Sequence, residues 1–176
     1  MRTCIFDIET TGFNADFGRL ICAVVKEYHQ RSPCVILPAD HLDDTDAVLK
    51  LKKKLESFDI IVGHYTKGFD IPYLNAKLFL LGEPCLSPKF HLDTYYISKH
   101  HAKQAIRSKS LKHLVDVLGF EDQKKAVRCK TWNDAKDGYS AAIKTVVDRC
   151  ISDVVLTEGL YSQLLKCGWV RGLKRE

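Results

Sequence analysis

The chain has 176 residues, 45% of them hydrophobic, and a formal net charge of +5. That size and apolar content suit one globular domain over residues 1–176 and leave little room for two. The opening stretch, Met1-Arg2-Thr3-Cys4-Ile5-Phe6, gives way at once to Asp7 and Glu9, which supports neither a signal peptide nor a membrane span; a soluble, intracellular (cytoplasmic) protein is expected. Seven cysteines at scattered spacings, with no CxxC pair, argue against a structural zinc or redox centre.

Three short β-branched runs open the chain, at 3–8, 20–28 and 34–37, parted by Thr11-Gly12 and Ser32-Pro33. The spacing then predicts a helix over 43–58, with Val48, Leu51 and Leu55 inward and the lysines between them outward. Residues 59–63 read as a strand covered on both sides, and helical periodicity resumes over 72–81 until Gly82 stops it. Leu92-Asp93-Thr94 suggests a short edge strand. A helix is expected at 110–118, irregular chain from 119 to 138, and a helix over 139–166 with a bend near Ile151-Ser152, stopped by Gly168. No repeat or low-complexity tract interrupts this βββαβ beginning and helical remainder, so the packing solution is α/β, a mixed sheet flanked by helices.

From Lys99 to Lys130 there are nine Lys or Arg against three acidic residues, with His100, His101 and His113 among them. Such a stretch can follow a phosphate backbone or form a solvated basic face.

Asp7 and Glu9 lie two apart in a strand, so their carboxylates leave the same face of a segment that otherwise reads as core. Two acids so placed are costly without a cation, and a divalent ion with oxygen ligands lets both stay ionised; Mg²⁺ or Mn²⁺ is the expected cofactor. Taken alone, a D-x-E pair is also the pattern of an exposed strand edge.

In its surroundings the pair is more specific. The run Phe6-Asp7-Ile8-Glu9-Thr10-Thr11-Gly12-Phe13, followed by Arg19-Leu20-Ile21, resembles the first motif of the DEDD, or DnaQ-like, 3'-to-5' exonuclease superfamily. Gly63-His64-Tyr65-Thr66-Lys67-Gly68-Phe69-Asp70-Ile71-Pro72-Tyr73-Leu74 resembles the FD-x-PYL element of family B polymerase exonuclease domains and their stand-alone relatives. Asp70 is then the third acid, although an Asp just before a helix is equally a helix cap. The fourth acid falls on Asp153, which the family precedes with Tyr four residues earlier or His five residues earlier. Here those positions hold Arg149 and Asp148, a departure that puts the water-activating group in question. Asp153 and Arg149 also read simply as an i,i+4 helical ion pair.

The resemblance implies a ribonuclease-H-like mixed five-stranded sheet, and two Mg²⁺ or Mn²⁺ ions held by Asp7, Glu9, Asp70 and Asp153. It further implies hydrolysis of single-stranded DNA or RNA from a free 3' end with release of nucleoside monophosphates. It places the terminal nucleotide against Thr10, Thr11 and Gly12, with Phe13, Tyr65 and Phe69 stacking on bases or filling core. Arg149 is a candidate for gripping the phosphate, Asp148, His64 or Tyr65 for positioning water, and His64 and Tyr65, in the segment where relatives often have a substrate-contacting asparagine, for binding substrate. Proofreading would need a partner polymerase or helicase; nothing resembles a coiled coil, and a monomer is the expectation. A catalytically impaired nucleic-acid-binding module is the alternative, and the combination of D-x-E with FD-x-PYL argues against an endonuclease.

Overall fold

A computed structural model describes residues 1–87, 89–120 and 127–170. In chain order the elements are β1 (Thr3–Thr10), β2 (Leu20–Glu27), β3 (Cys34–Ile36), α1 (Thr45–Glu56), β4 (Ile60–Gly63), α2 (Asp70–Leu80), β5 (Phe90–Asp93), α3 (Thr94–Ala102), α4 (Leu111–Val117), α5 (Cys129–Lys136) and α6 (Ser140–Lys166).

The five strands form one sheet in the order β3-β2-β1-β4-β5. β1 and β2 pair antiparallel, as do β2 and β3, whereas β1 with β4 and β4 with β5 run parallel. This is the ribonuclease-H-like α/β arrangement that the motifs led us to expect. Strand alternation sorts β1 between two cores. Cys4, Phe6 and Ile8 pack with Val48, Leu51 and Leu55 of α1 and Leu74 and Leu78 of α2, while Ile5 packs with Val146, Cys150 and Val154 of α6 on the opposite face. With a period of two, Asp7 and Glu9 fall on the α6 side. The register slips between Glu9 and Thr10, which face Cys22 and Leu20, so the extra residue, Ile21, lies in β2 opposite the end of β1.

α6 is held to the sheet by more than apolar contact. Buried Lys26 of β2 donates to Glu158, whose other oxygen accepts from His29 N at 2.9 Å. One turn further on, the Tyr28 hydroxyl meets Ser162 Oγ at 3.0 Å. These bonds set the sliding and rotation of α6, and with them the height of Arg149 and Asp153 relative to Asp7 and Glu9. A third apolar cluster, including Leu111, Leu114 and Val115 of α4 and Leu156, Leu160 and Leu164 of α6, seats α4 on the outer side of α6.

Three expectations need correction. α3 follows β5 directly, where no helix was predicted: Asp93 ends the strand and caps the helix by accepting from Tyr95 N at 3.0 Å. α5 lies inside the stretch expected to be irregular; its Ala135 is buried, and Trp132 packs into the α6 core. α6 runs unbroken through Ile151 and Ser152, because Cys150, Asp153 and Val154 lie on its buried face and no Pro or Gly interrupts the turn. The positive φ values of Gly82 and Gly168, 71° and 70°, fit the expected helix stops. Cys4, Cys22 and Cys150 are buried, and all seven cysteines are free thiols. No helix among the described residues is long and apolar enough to cross a membrane.

Replacing Lys26 by Met is expected to destabilise the fold by about 3 kcal/mol, because it strands a poorly solvated carboxylate. The double variant Lys26→Met, Glu158→Leu should recover most of that loss in urea unfolding; equal losses in the single and double variants would show that the pair does not anchor α6.

Candidate active site

The end of β1 and the middle of α6 meet over a cluster of acids. Asp7, Glu9 and Asp153 each offer an oxygen, and these oxygens all lie within 4.8 Å of one another. Glu9 is 144 residues from Asp153 in sequence, counting 153 minus 9, so only the fold brings them together. Hard, closely set carboxylate oxygens fit Mg²⁺ or Mn²⁺ chemically, and a softer metal would find no thiolate or imidazole in the set.

Asp70 lines the same cleft, of ≈ 470 Å³, together with Asp7, Glu9, Phe13, His64, Tyr65, Phe69, Arg149 and Asp153. It does not act as the helix cap. Phe69 occupies the cap position of α2, and Asp70 Oδ1 instead accepts from Ile8 N at 3.0 Å, between the two acids of β1. The reason is topological: β4 pairs only with Thr3, Cys4 and Ile5, so further along β1 that edge has no strand beside it and a side chain supplies the acceptor. Burial pushes the Asp70 carboxyl up to about 7, against the lowering by its backbone hydrogen bonds, and Glu9 and Asp93 add to the rise.

Positive charge enters the cluster from α6. Arg149 Nε donates to Glu9 Oε1 at 3.0 Å, and its Nη2 stands 3.7 Å from Asp153 Oδ2. The guanidinium also lies 5.8 Å from the centre of the Trp132 ring on α5. The i,i+4 pair expected with Asp153 therefore exists, but it is the weaker half of a bridge that spans two elements. Next to it, burial foremost pushes the Cys150 thiol well above its ordinary value, so it remains an S–H and donates to Asp7 Oδ2 at 3.4 Å.

Thr10, Thr11 and Gly12 border an adjoining groove with Glu9, Phe13, Phe69, Trp132 and Arg149, continuous with the acidic cleft through the residues they share. Their loop is stitched to Arg19, whose N–H donates to Thr11 Oγ1 at 2.8 Å. Phe13 is 89% exposed and meets half-buried Phe69 edge-on at 6.0 Å, so of the two only Phe69 contributes to the core. His64 Nδ1 is 2.9 Å from Thr94 Oγ1. Asp148 is not brought in: it is exposed and absent from the cleft lining, since one step along α6 rotates it about 100° from Arg149.

A family model described as RNase_H superfamily matches residues 4–165. The chain belongs to the RNase H superfamily. Among solved structures, the family B DNA polymerase from the hyperthermophilic archaeon Pyrobaculum calidifontis shares the fold, with a TM-score of 0.77 and 22% identity over 94% of this chain. The chain spans about a quarter of that polymerase, 24% of its length. No match was found among the curated proteins. Membership in the RNase H superfamily supports a nuclease acting on nucleic acid, and the carboxylate cluster is suited to a divalent metal.

Within this RNase H-like site, four contributors escaped the sequence motifs. Asp93 is buried and accepts from Tyr65 N at 2.9 Å and Lys67 N at 2.8 Å, holding the β4–α2 loop against the start of α3. Asp93-Thr94 ahead of a helix is a capping signal that could have been read. Trp132 backs Arg149, and Tyr95 and Tyr96 flank Tyr65; aromatic residues alone gave no hint of those positions.

The raised Asp70 carboxyl has a thermodynamic signature. Because its folded value exceeds the unfolded one, the folded chain binds the extra proton, and stability falls as pH rises from about 4 through about 7. In EDTA, Asp70→Asn should melt higher than the parent chain at pH 8 by at least about 2 °C, the shift that roughly 1 kcal/mol produces at this size. The gap should close toward pH 4; melting curves that stay parallel across that range would contradict the assignment.

Proposed function

We propose that the chain is a metal-dependent 3'-to-5' exonuclease that hydrolyses phosphodiester bonds of DNA or RNA from a free 3' end and releases nucleoside monophosphates. The observation that carries this reading is the convergence of Asp7, Glu9 and Asp153 within 4.8 Å, beside Asp70, in an open cleft bordered by aromatic rings. The polarity rests on the likeness of the Asp7-Ile8-Glu9 and Phe69-to-Leu74 segments to exonuclease motifs.

In this reading Asp7, Glu9, Asp153 and Asp70 hold two Mg²⁺ or Mn²⁺ ions, which when bound supply positive charge for the scissile phosphate and activate water. The protein's own groups position the substrate. The Thr10-Thr11-Gly12 loop, fixed by Arg19, supports the terminal nucleotide, and Phe13 and Phe69 form a wedge against its base. Arg149, permanently charged and already facing the cleft, grips the phosphate as charge develops on it. His64, with its ring fixed by Thr94, takes the water-positioning role that relatives give to Tyr or His on the late helix.

A second reading has one observation in its favour. Arg149 stands where relatives carry the tyrosine, and it engages Glu9 and Asp153 directly, which suits a module that binds nucleic acid without cutting it.

A time course on 5'-labelled single-stranded DNA and RNA with Mg²⁺ or Mn²⁺ separates the two. The exonuclease predicts a ladder shortening from the 3' end that EDTA abolishes. Asp7→Ala should reduce the rate by more than the roughly 10–100-fold typical of losing a residue that only orients a ligand. Binding without shortening in either metal would leave the binding module as the account.

A further inference from the structure

A basic and aromatic surface begins at the mouth of the acidic cleft and runs away from the carboxylates. Between Thr94 and Val115 the chain carries five Lys or Arg residues and no Asp or Glu. α3 sorts its share of them by face. Thr94, Ser98 and Ala102 are buried, whereas Tyr96, Lys99 and His100, with Lys103 just past the helix end, are exposed. Positions 96, 99 and 100 are spaced three and four apart, so they follow one side of the helix, and Lys103 comes next where the chain leaves it with φ 45°.

At the cleft end of that side, the Tyr96 ring stacks on Tyr65 with centroids 6.0 Å apart and 20° between planes. Tyr95 meets both rings edge-on, at 5.0 and 5.2 Å. Tyr65 lines the cleft, is 46% exposed, and adopts φ 66°, a left-handed backbone that a bulky residue rarely takes. Two features hold it there: the Asp93 carboxylate accepts from the N–H groups of Tyr65 and Lys67, and Gly68 leaves the room that the Tyr65 ring fills, where an added Cβ would come within 2.5 Å. Such strain persists only where the surroundings over-determine it. Here it presents an aromatic ring to solvent beside a cationic ridge.

The geometry points to this surface as the track of a single strand entering the cleft, with bases behind the 3' terminus stacking on Tyr65 and Tyr96 and phosphates passing Lys99, His100 and Lys103. The track rests on the exonuclease reading for its direction. Tyr96 to Lys103 covers about 10 Å at helical rise, roughly two to three nucleotide steps. Stacking platforms need unpaired bases and accept any of them, so the ligand is single-stranded and bound with little sequence preference.

The test is fluorescence anisotropy in Mn²⁺ with 5'-labelled dT3 and dT12, using the full chain with Asp7→Asn added throughout to prevent hydrolysis. Tyr96→Ala should weaken dT12 by roughly tenfold, the scale of one stacked base. Lys99→Glu with Lys103→Glu should lower the salt dependence of dT12 binding by about 1.4, two single-strand phosphate contacts. The same charge change on α1, Lys50→Glu with Lys53→Glu, should have little effect. The milder pair Lys99→Ala with Lys103→Ala is measured alongside, so a fold lost on charge reversal does not end the test. Equal losses for dT3 and dT12 in the lysine variants, or equal losses from the α1 control, would overturn the track. So would dT12 affinity unchanged by both the Tyr96 and the lysine variants. If the chain with native Asp7 still shortens DNA from the 3' end, the track alone has failed; if it does not, the exonuclease reading has failed on its own.

Discussion

Like charges held close together dominate this structure. Two carboxylates at 4.8 Å repel by about 3 kcal/mol even at an effective dielectric near 20, and the fold packs Asp7, Glu9 and Asp153 within that distance at the edge of its core. The arrangement is sustained because each acid meets something that accepts its charge: Arg149 bridges Glu9 and Asp153, and the Cys150 thiol donates to Asp7. Asp70, more deeply buried than these, is relieved by the Ile8 N–H and by holding a proton to higher pH. The order of the sheet follows the same need, since β4 stops pairing with β1 early and leaves the Ile8 N–H for a side chain to find.

Keeping the cluster in register requires α6 to sit at one height on the sheet. Apolar packing of Val146, Cys150 and Val154 would tolerate some sliding, but the Lys26–Glu158 pair and the Tyr28–Ser162 contact do not. On the other side of the cleft Asp93 has the corresponding role. One carboxylate ends β5, caps α3 and fixes the loop that presents His64 and Tyr65, so the wall of the site and the basic helix beside it are positioned by a single residue.

The sheet was legible in the sequence because its signal is local. Alternation in residues 3–8 and the apolar run at 59–63 needed only the pleat to be read, and the D-x-E spacing gave the facing of Asp7 and Glu9 directly. α3 and α5 were not legible, for a physical reason: nine and eight residues long, each buries only a few side chains, so periodicity had little to register. The acids were singled out by motif likeness, and Asp153 in particular could not be separated by spacing from an ordinary partner of Arg149. What Arg149 does depends on its reach to Glu9, a contact 140 residues distant that no local pattern encodes.

A carboxylate cluster built around a divalent cation must bind one at its own oxygens. Calorimetric titration of the chain with Mn²⁺, repeated on Asp153→Asn, tests it without reference to any substrate. Saturable binding is expected, weakened by the substitution tenfold or more, roughly the cost of 1.4 kcal/mol or above for a lost charged ligand. Saturation that is absent, or unchanged in Asp153→Asn, would mean that Arg149 is the only cation the cluster was built to hold.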